Sequence, residues 1–249
     1  MRHAHKYEEM LPEEFYAEQA RAPIAYFACG SMEEHGLHAA LGTDPYVGYE
    51  TCLRAAAITG GVVFPPVPFA PAGIPGHSRA ELREGGRHLY PPSLWTSRET
   101  CKAVYLELAE ALADLGFRAG SGFGGHWPAD LLLQETAAEH GGVIRGMRFW
   151  GGGTLSILGD EYRREGEADP TAMGHGMMWE TSLVMAVRPD WVDLPRAERI
   201  QDGPLASQLQ GPWPERRARI ATANVEYGQI WLDRAAGLLS DKARELLGA

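Results

Sequence analysis

Hydrophobic positions along the chain fall into two alternating textures: short apolar runs of strand length that end in glycine or a polar turn, and longer stretches with apolar residues at helical spacing. Ile24–Ala28 (IAYFA), bounded by Pro23 and Gly30, is expected to be a buried strand. Val62–Phe69 (VVFPPVPF) reads as a second, which Pro65, Pro66 and Pro68 restrict to an early end or a sheet edge. Phe117–Gly122 is a glycine-rich third, and Val143–Trp150 a fourth that runs into three consecutive glycines.

Between these runs the pattern predicts helices. Glu8–Ala20 is amphipathic. A helix starts at Pro45, with Asp44 as its cap and Tyr46–Ile58 as its body, and stops at Gly60-Gly61. Val104, Leu108, Leu112 and Leu115 mark a helix over Arg98–Leu115, closed by Gly116; others begin near Pro128 and cover Glu226–Leu247. Strand, turn and helix in repetition predict an α/β fold, a mostly parallel central sheet with helices on both faces, in one domain over residues 1–249. Ala70–Ser97, dense in Gly, Pro, His and Arg, is a long loop of the kind that carries function. Parallel sheets bind ligands at the carboxyl ends of their strands. Three polar clusters fall where strands end or loops begin: Glu33-Glu34-His35, Gly125-His126, and His175 with Glu180.

Composition narrows the function. At 45% hydrophobic and 22% charged residues the chain is of ordinary globular type. The net charge of −10, with Lys and Arg scattered apart from clusters such as Arg216, Arg217 and Arg219, argues against nucleic acid and anionic membranes as partners. With no apolar run of membrane-spanning length and no signal-peptide core after Met1–Tyr7, a cytoplasmic protein is expected. Cys29, Cys52 and Cys101 are far apart and fit reduced thiols, and the absence of a C-x-x-C pair argues against a thiolate zinc site.

The chemistry therefore rests on histidines and carboxylates. Glu33 and His35, one residue apart after a strand, point to the same side of an extended chain, and Asp44 follows a short loop. One imidazole and two carboxylates suit zinc or manganese. Spacing alone leaves open the plainer reading, with Glu33 and Glu34 solvated, His35 in a loop and Asp44 only a cap.

Gly30-Ser31-Met32-Glu33-Glu34-His35-Gly36-Leu37-His38, followed by Gly42-Thr43-Asp44, resembles the first signature of the creatininase family, roughly G-S-x-E-Q-H-G-x-H-x-x-x-x-T-D. The resemblance continues through Gly116-Phe117-Arg118 and Gly125-His126 to His175-Gly176-Met177-Met178-Trp179-Glu180-Thr181-Ser182, which is similar to the family's H-A-G-x-x-E-T-S. It implies a three-layer α/β/α fold, a homohexamer, and two divalent ions per chain, with zinc, manganese or iron as the choices. Carried over by position, Glu33 and His126 hold one ion, His35 the second, and Asp44 bridges them. The implied reaction is hydrolysis of a C–N bond in a small cyclic or linear amide by a metal-bound hydroxide, with His175 protonating the departing nitrogen.

Departures from the family pattern fall at the second ion. The central turn reads Gly124-Gly125-His126-Trp127-Pro128-Ala129-Asp130, with Pro128 where creatinine-hydrolysing members have a glutamate ligand. Glu180 is the first candidate to replace it and Asp130 the second. His38 is expected to support a ligand rather than coordinate. Ser78, Trp127 and Trp179 are candidate substrate contacts, as are His77, His88 and Ser93 in the long loop, while Trp150 and Trp179 equally suit core or interface packing. His3, His5 and His140 read as surface residues. Two alternatives stay open: the same binuclear site acting on a formamide or short peptide, or a one-metal lyase, isomerase or non-catalytic binding protein.

Overall fold

The structure is a computed structural model that describes residues 4–73, 75–76, 78–80, 93–200 and 213–248. His3, His77 and His88 lie outside the described residues. In chain order the principal elements are α1 (Pro12–Arg21), β1 (Ile24–Cys29), α2 (Thr43–Thr59), β2 (Val62–Val67), α3 (Arg98–Asp114), β3 (Ala119–Gly124) and α4 (Trp127–Glu139). After them come β4 (Val143–Ile144), β5 (Met147–Gly153), α5 (Thr154–Ala168), α6 (Met178–Val187), α7 (Trp213–Ile220) and α8 (Val225–Leu247).

The strands form one sheet in the order β2-β1-β3-β5-β4, parallel except for the antiparallel edge strand β4. Every residue of β1 is buried. Its alternate side chains feed two cores, Ala25, Phe27 and Cys29 packing with α3 and α4, and Ile24, Tyr26 and Ala28 with α2 and α8. That is the three-layer arrangement, and it explains why β1 is apolar throughout rather than alternating. A third cluster joins α6 to α8 through Trp179, Leu183, Leu232 and Ala235.

From β1 the chain moves to β2 on one side and then returns to β3 on the other, so the order reverses about β1. The carboxyl ends of β1 and β3 at such a reversal frame a crevice. β1 leads there into Gly30-Ser31-Met32-Glu33, and β3 into Gly125-His126.

Several elements differ from expectation. Leu11-Pro12 divides the first helix into a 3-10 turn (Tyr7–Glu9) and α1, because Pro12 favours the first position of a new helix. α2 begins at Thr43 with Gly42 at its cap, so Asp44 lies inside the first turn and caps nothing; its carboxylate is drawn instead to His35 and His126. Val143–Trp150 is a hairpin rather than one strand, turned by Arg145 (φ 47°) and Gly146 (φ 85°). Gly151–Gly153 belong to β5 instead of ending it, because α4 lies against them: a Cβ on Gly151 would sit 2.0 Å from the Leu133 carbonyl oxygen. As the sequence suggests, the proline-bearing β2 is an edge strand.

Gly125 fixes how closely the two strand ends approach. A Cβ there would lie 2.1 Å from the Asp44 carbonyl oxygen and 3.2 Å from the Gly48 amide nitrogen. Gly125→Ala is expected to push α2 away from the β3–α4 turn and cost about 3 kcal/mol. Chemical denaturation of the variant checks this, and undiminished stability would show that the approach is looser than described.

Candidate metal centre

Glu33, Asp44 and His126 bring one ligand atom each within 4.8 Å of one another, and so do His35, His175 and Glu180. The two groups touch most closely through Asp44, whose Oδ2 lies 3.0 Å from His126 Nδ1 and whose Oδ1 lies 2.8 Å from His35 Nε2, and again where Glu33 Oε1 lies 3.6 Å from His175 Nε2. Glu180 Oε2 is 3.5 Å from the same His35 nitrogen. Glu33 is 1% exposed and Asp44 2%, and the described ion pairs of both are with histidines alone. Ser31 donates its hydroxyl to Glu33 Oε2 at 2.6 Å and reaches Asp44 Oδ2 at 3.3 Å, spanning the two carboxylates.

Each histidine commits one ring nitrogen to a backbone carbonyl, which only accepts. His35 Nδ1 donates to Glu33 O at 2.9 Å, His126 Nε2 to Pro71 O at 2.9 Å, and His175 Nε2 to Glu34 O at 2.5 Å. In a neutral ring the lone pair then sits on the other nitrogen. Those nitrogens face carboxylates: His35 Nε2 faces Asp44 and Glu180, His126 Nδ1 faces Asp44, and His175 Nδ1 lies 3.9 Å from Glu180. Lone pair against carboxylate is repulsive unless a proton or a cation lies between them. Orienting bonds from the far nitrogen to backbone carbonyls are also what ion-ligating histidines make. The donor set thus fits divalent ions.

Without a cation, protons take that place. Burial lowers the His126 pKa, but Glu33 and Asp44 outweigh it and hold the imidazole up at about 9. His35 is likewise depressed by burial and raised well above its ordinary value by Asp44 and Glu180. Burial would raise Asp44 and Glu180; instead His35 with His126 holds Asp44 well down, and His35 with His175 lowers Glu180.

A pH dependence follows. A folded-state pKa near 9 against an ordinary 6.5 means that His126 stabilises the ion-free fold below about pH 6.5, and that this contribution is lost as pH rises through about 9. Ion uptake near neutral pH must displace the proton, so apparent affinity should rise with pH and level off above about 9. Calorimetry in buffers of different ionisation enthalpy should detect the released protons; uptake without release would contradict this description.

The structure separates the two candidates for the missing ligand. Glu180, in the first turn of α6, lies with His35 and His175. Asp130 is buried in α4, but its Oδ2 accepts from the Ser156 amide at the start of α5 and its Oδ1 from Gln134 Nε2. His38 stands behind the centre with Nε2 at 2.9 Å from Thr181 Oγ1, and burial, reinforced by His35, lowers its pKa to about 4. Ser93 uses its hydroxyl to accept the Glu34 amide at 2.8 Å. Ser78 is exposed and is not part of the described cavity lining.

A cavity of about 450 Å³ opens onto the centre, reaching Glu33, His126, His175 and Glu180. Trp127, half exposed, and Trp179, buried, both line it, and Trp179 packs edge-on against Tyr162 and Trp231. Thr154, Tyr162 and Arg216 also line it, and sequence reasoning gave them no role there. Only the basic cluster around Arg216 carried a signal, and it was weighed for nucleic acid.

A buried histidine–carboxylate centre at the reversal point of a three-layer α/β sheet is the ground plan of a metal-dependent hydrolase. The profile of the creatininase family, described as creatinine amidohydrolase, matches residues 8–243. The chain belongs to the creatininase family and is a metal-dependent amidohydrolase of that family. It is 24% identical over 239 residues to a creatinine amidohydrolase of Pseudomonas putida, covering 87% of this chain and 86% of that one. Among solved structures it is similar to a mutant creatininase of zinc–zinc type (TM-score 0.71, 23% identity, 96% and 97% of the two chains). A manganese creatininase gives a TM-score of 0.68 at 24% identity, covering 96% and 97%. At these identities the structural likeness speaks for the fold. No helix among the described residues is long and apolar enough to cross a membrane.

Proposed function

We propose that the chain hydrolyses a C–N bond of a small cyclic or linear amide at a two-ion centre. The observation that carries this reading is the pair of donor groups that meet at Asp44, one buried and one partly open to the cavity, each histidine oriented by a backbone carbonyl. Glu33, His126 and Asp44 would hold one ion; His35, Glu180 and Asp44 the other. Divalent ions in such a site lower the pKa of water and polarise a carbonyl. The zinc and manganese forms of the similar structures support those ions here.

The chain's own residues do the rest. Ser31 keeps the Glu33 and Asp44 carboxylates turned toward the histidines. His175, with Nε2–H held by Glu34 O, has Nδ1 available to carry a proton to the departing nitrogen. Its side chain is 21% exposed, far more open than His35 at 1%. Trp127, Trp179 and Tyr162 wall the cavity and give the substrate an aromatic surface to pack on. Creatinine heads the substrates to try, because the Pseudomonas putida relative bears its name. Pro128, standing where creatinine-hydrolysing members have glutamate, widens the panel to formamides and short peptides.

The test joins elemental analysis to a substrate panel. About two divalent ions per chain and turnover of at least one amide are expected; less than one tightly held ion after zinc or manganese is supplied would defeat the two-ion reading. The family resemblance further supports a homohexamer, and the sequence pattern supports a single domain and a cytoplasmic location. Light scattering at micromolar concentration should give about six times the chain mass, and a particle of 27.2 kDa would overturn the assembly.

A further inference from the structure

The ion centre accounts for one wall of the cavity and leaves an arginine on another wall unexplained. α7 carries Arg216, Arg217 and Arg219. Arg217 donates through Nη1 to the Ile200 carbonyl at 2.7 Å, and Arg219 pairs through Nε with the Asp169 carboxylate at 2.7 Å. Arg216 differs from both. It lines the cavity, and its Nε is buried with no hydrogen-bond partner among the described residues. Burial lowers its pKa, and no described carboxylate offsets that effect.

A guanidinium does not give up its proton, so an unaccepted buried donor on it is a standing cost that an arriving acceptor removes. On two other lining residues, Thr154 Oγ1 and Trp179 Nε1 are also buried with no hydrogen-bond partner among the described residues. Both residues border a small second void beside Asp44 and Glu180, of about 10 Å³, near the size that holds one water. Arg216 does not border that void, and its guanidinium belongs to the lining of the main cavity alone.

Size and charge define that occupant. About 450 Å³ suits a small molecule rather than a polymer. Its lining also presents Glu33 and Glu180, which repel an anion unless ions are bound there. One guanidinium, with its planar fork of donors, matches a carboxylate. A phosphate dianion would call for further cationic or backbone donors, and Arg216 is the only Lys or Arg among the described lining residues.

We propose that Arg216 determines specificity by receiving a carboxylate of the substrate, so that the amide cleaved at this centre belongs to a small carboxylic acid, an N-acyl amino acid or a lactam acid. This rests on the amidohydrolase reading and adds the substrate class. The reaction balances as ordinary hydrolysis: the C–N bond breaks, water gives hydroxyl to the acyl carbon and a proton to the nitrogen, and the carboxylate at Arg216 is unchanged.

Matched substrates test it on the ion-loaded protein: pyroglutamate against 2-pyrrolidinone, and N-formylglycine against N-methylformamide. The charged member of a pair should have the higher kcat/KM by roughly 10–100-fold, the scale of a charge-assisted hydrogen bond. Arg216→Gln should reduce that ratio to within about 3-fold, the loss lying in KM as expected for an interaction present before the transition state. Arg219→Gln, a change on the same helix, should keep the ratio. Equal rates on charged and neutral members in the native chain, or a ratio that survives Arg216→Gln, would overturn the proposal. If no amide is cleaved at all, the amidohydrolase reading fails by itself, and calorimetric titration with glutarate decides the subsite separately. Glutarate binding weakened at least about 10-fold by Arg216→Gln supports the subsite; equal binding, or none to the native chain, overturns it.

Discussion

Asp44→Ala is expected to remove both ions and to lower turnover by on the order of 10⁴-fold or more, since without metal the pKa of water returns from about 7 toward 15.7. Asp44 makes the shortest contacts that join the two donor groups, 2.8 Å through Oδ1 to His35 and 3.0 Å through Oδ2 to His126. Its loss also leaves two buried imidazoles without their shared counter-charge, a change of the kind that costs about 3–5 kcal/mol. The alanine variant could therefore fail through unfolding alone. Asp44→Asn keeps the volume and loses only the charge, and circular dichroism reports whether it folds. A folded Asp44→Asn chain should hold less than one ion by elemental analysis. Two retained ions with full turnover would remove Asp44 from the bridge.

Asp44 shows what local sequence conveys and what it does not, since its place in the helix cap is overturned while its place among the candidate ligands is kept. An aspartate before a proline at a helix start is an N-cap on every local criterion. What overrides that preference is the company of His35 and His126, brought together only when β1 and β3 pair in parallel. Glu33 and His35 were legible because two residues of extended chain decide their relative direction. The glycines of β5 were read as a stop for a similar reason, since the cause of their smallness is Leu133 on another element. α5 escaped notice because Gly159 adopts φ 44° within it, a break that interrupts the helical pattern. Arg216 is visible in the sequence only as positive charge; nothing in its neighbours signals that Arg217 and Arg219 find partners while the Arg216 Nε has none among the described residues.

The departure at Pro128 leads to the sharpest test of the centre, in which three variants should fail in three different ways. Glu180 lies 3.5 Å from His35 Nε2 and 3.9 Å from His175 Nδ1, and its backbone contact among the described residues is the Gly176 amide, accepted at 2.6 Å in a bond that a glutamine carbonyl can also accept. Glu180→Gln should therefore leave a folded chain that has lost or weakened one ion. Asp130 accepts the Ser156 amide at the start of α5 and touches neither donor group. Asp130→Asn should keep both ions and lose about 1 kcal/mol of stability, the scale of a weakened helix-start bond. His175 is the ambiguous member, because it stands with His35 and Glu180 while also being the most exposed histidine of the centre. If it carries the proton, His175→Asn retains both ions and loses roughly 10²–10⁴-fold in turnover, the range for a missing general acid. Loss of an ion in that variant would instead make His175 a ligand and leave the departing nitrogen to another donor. Should Asp130→Asn lose an ion while Glu180→Gln keeps both, the second ion would be held by Asp130, and the contact of that carboxylate with α5 would have to break in the loaded protein.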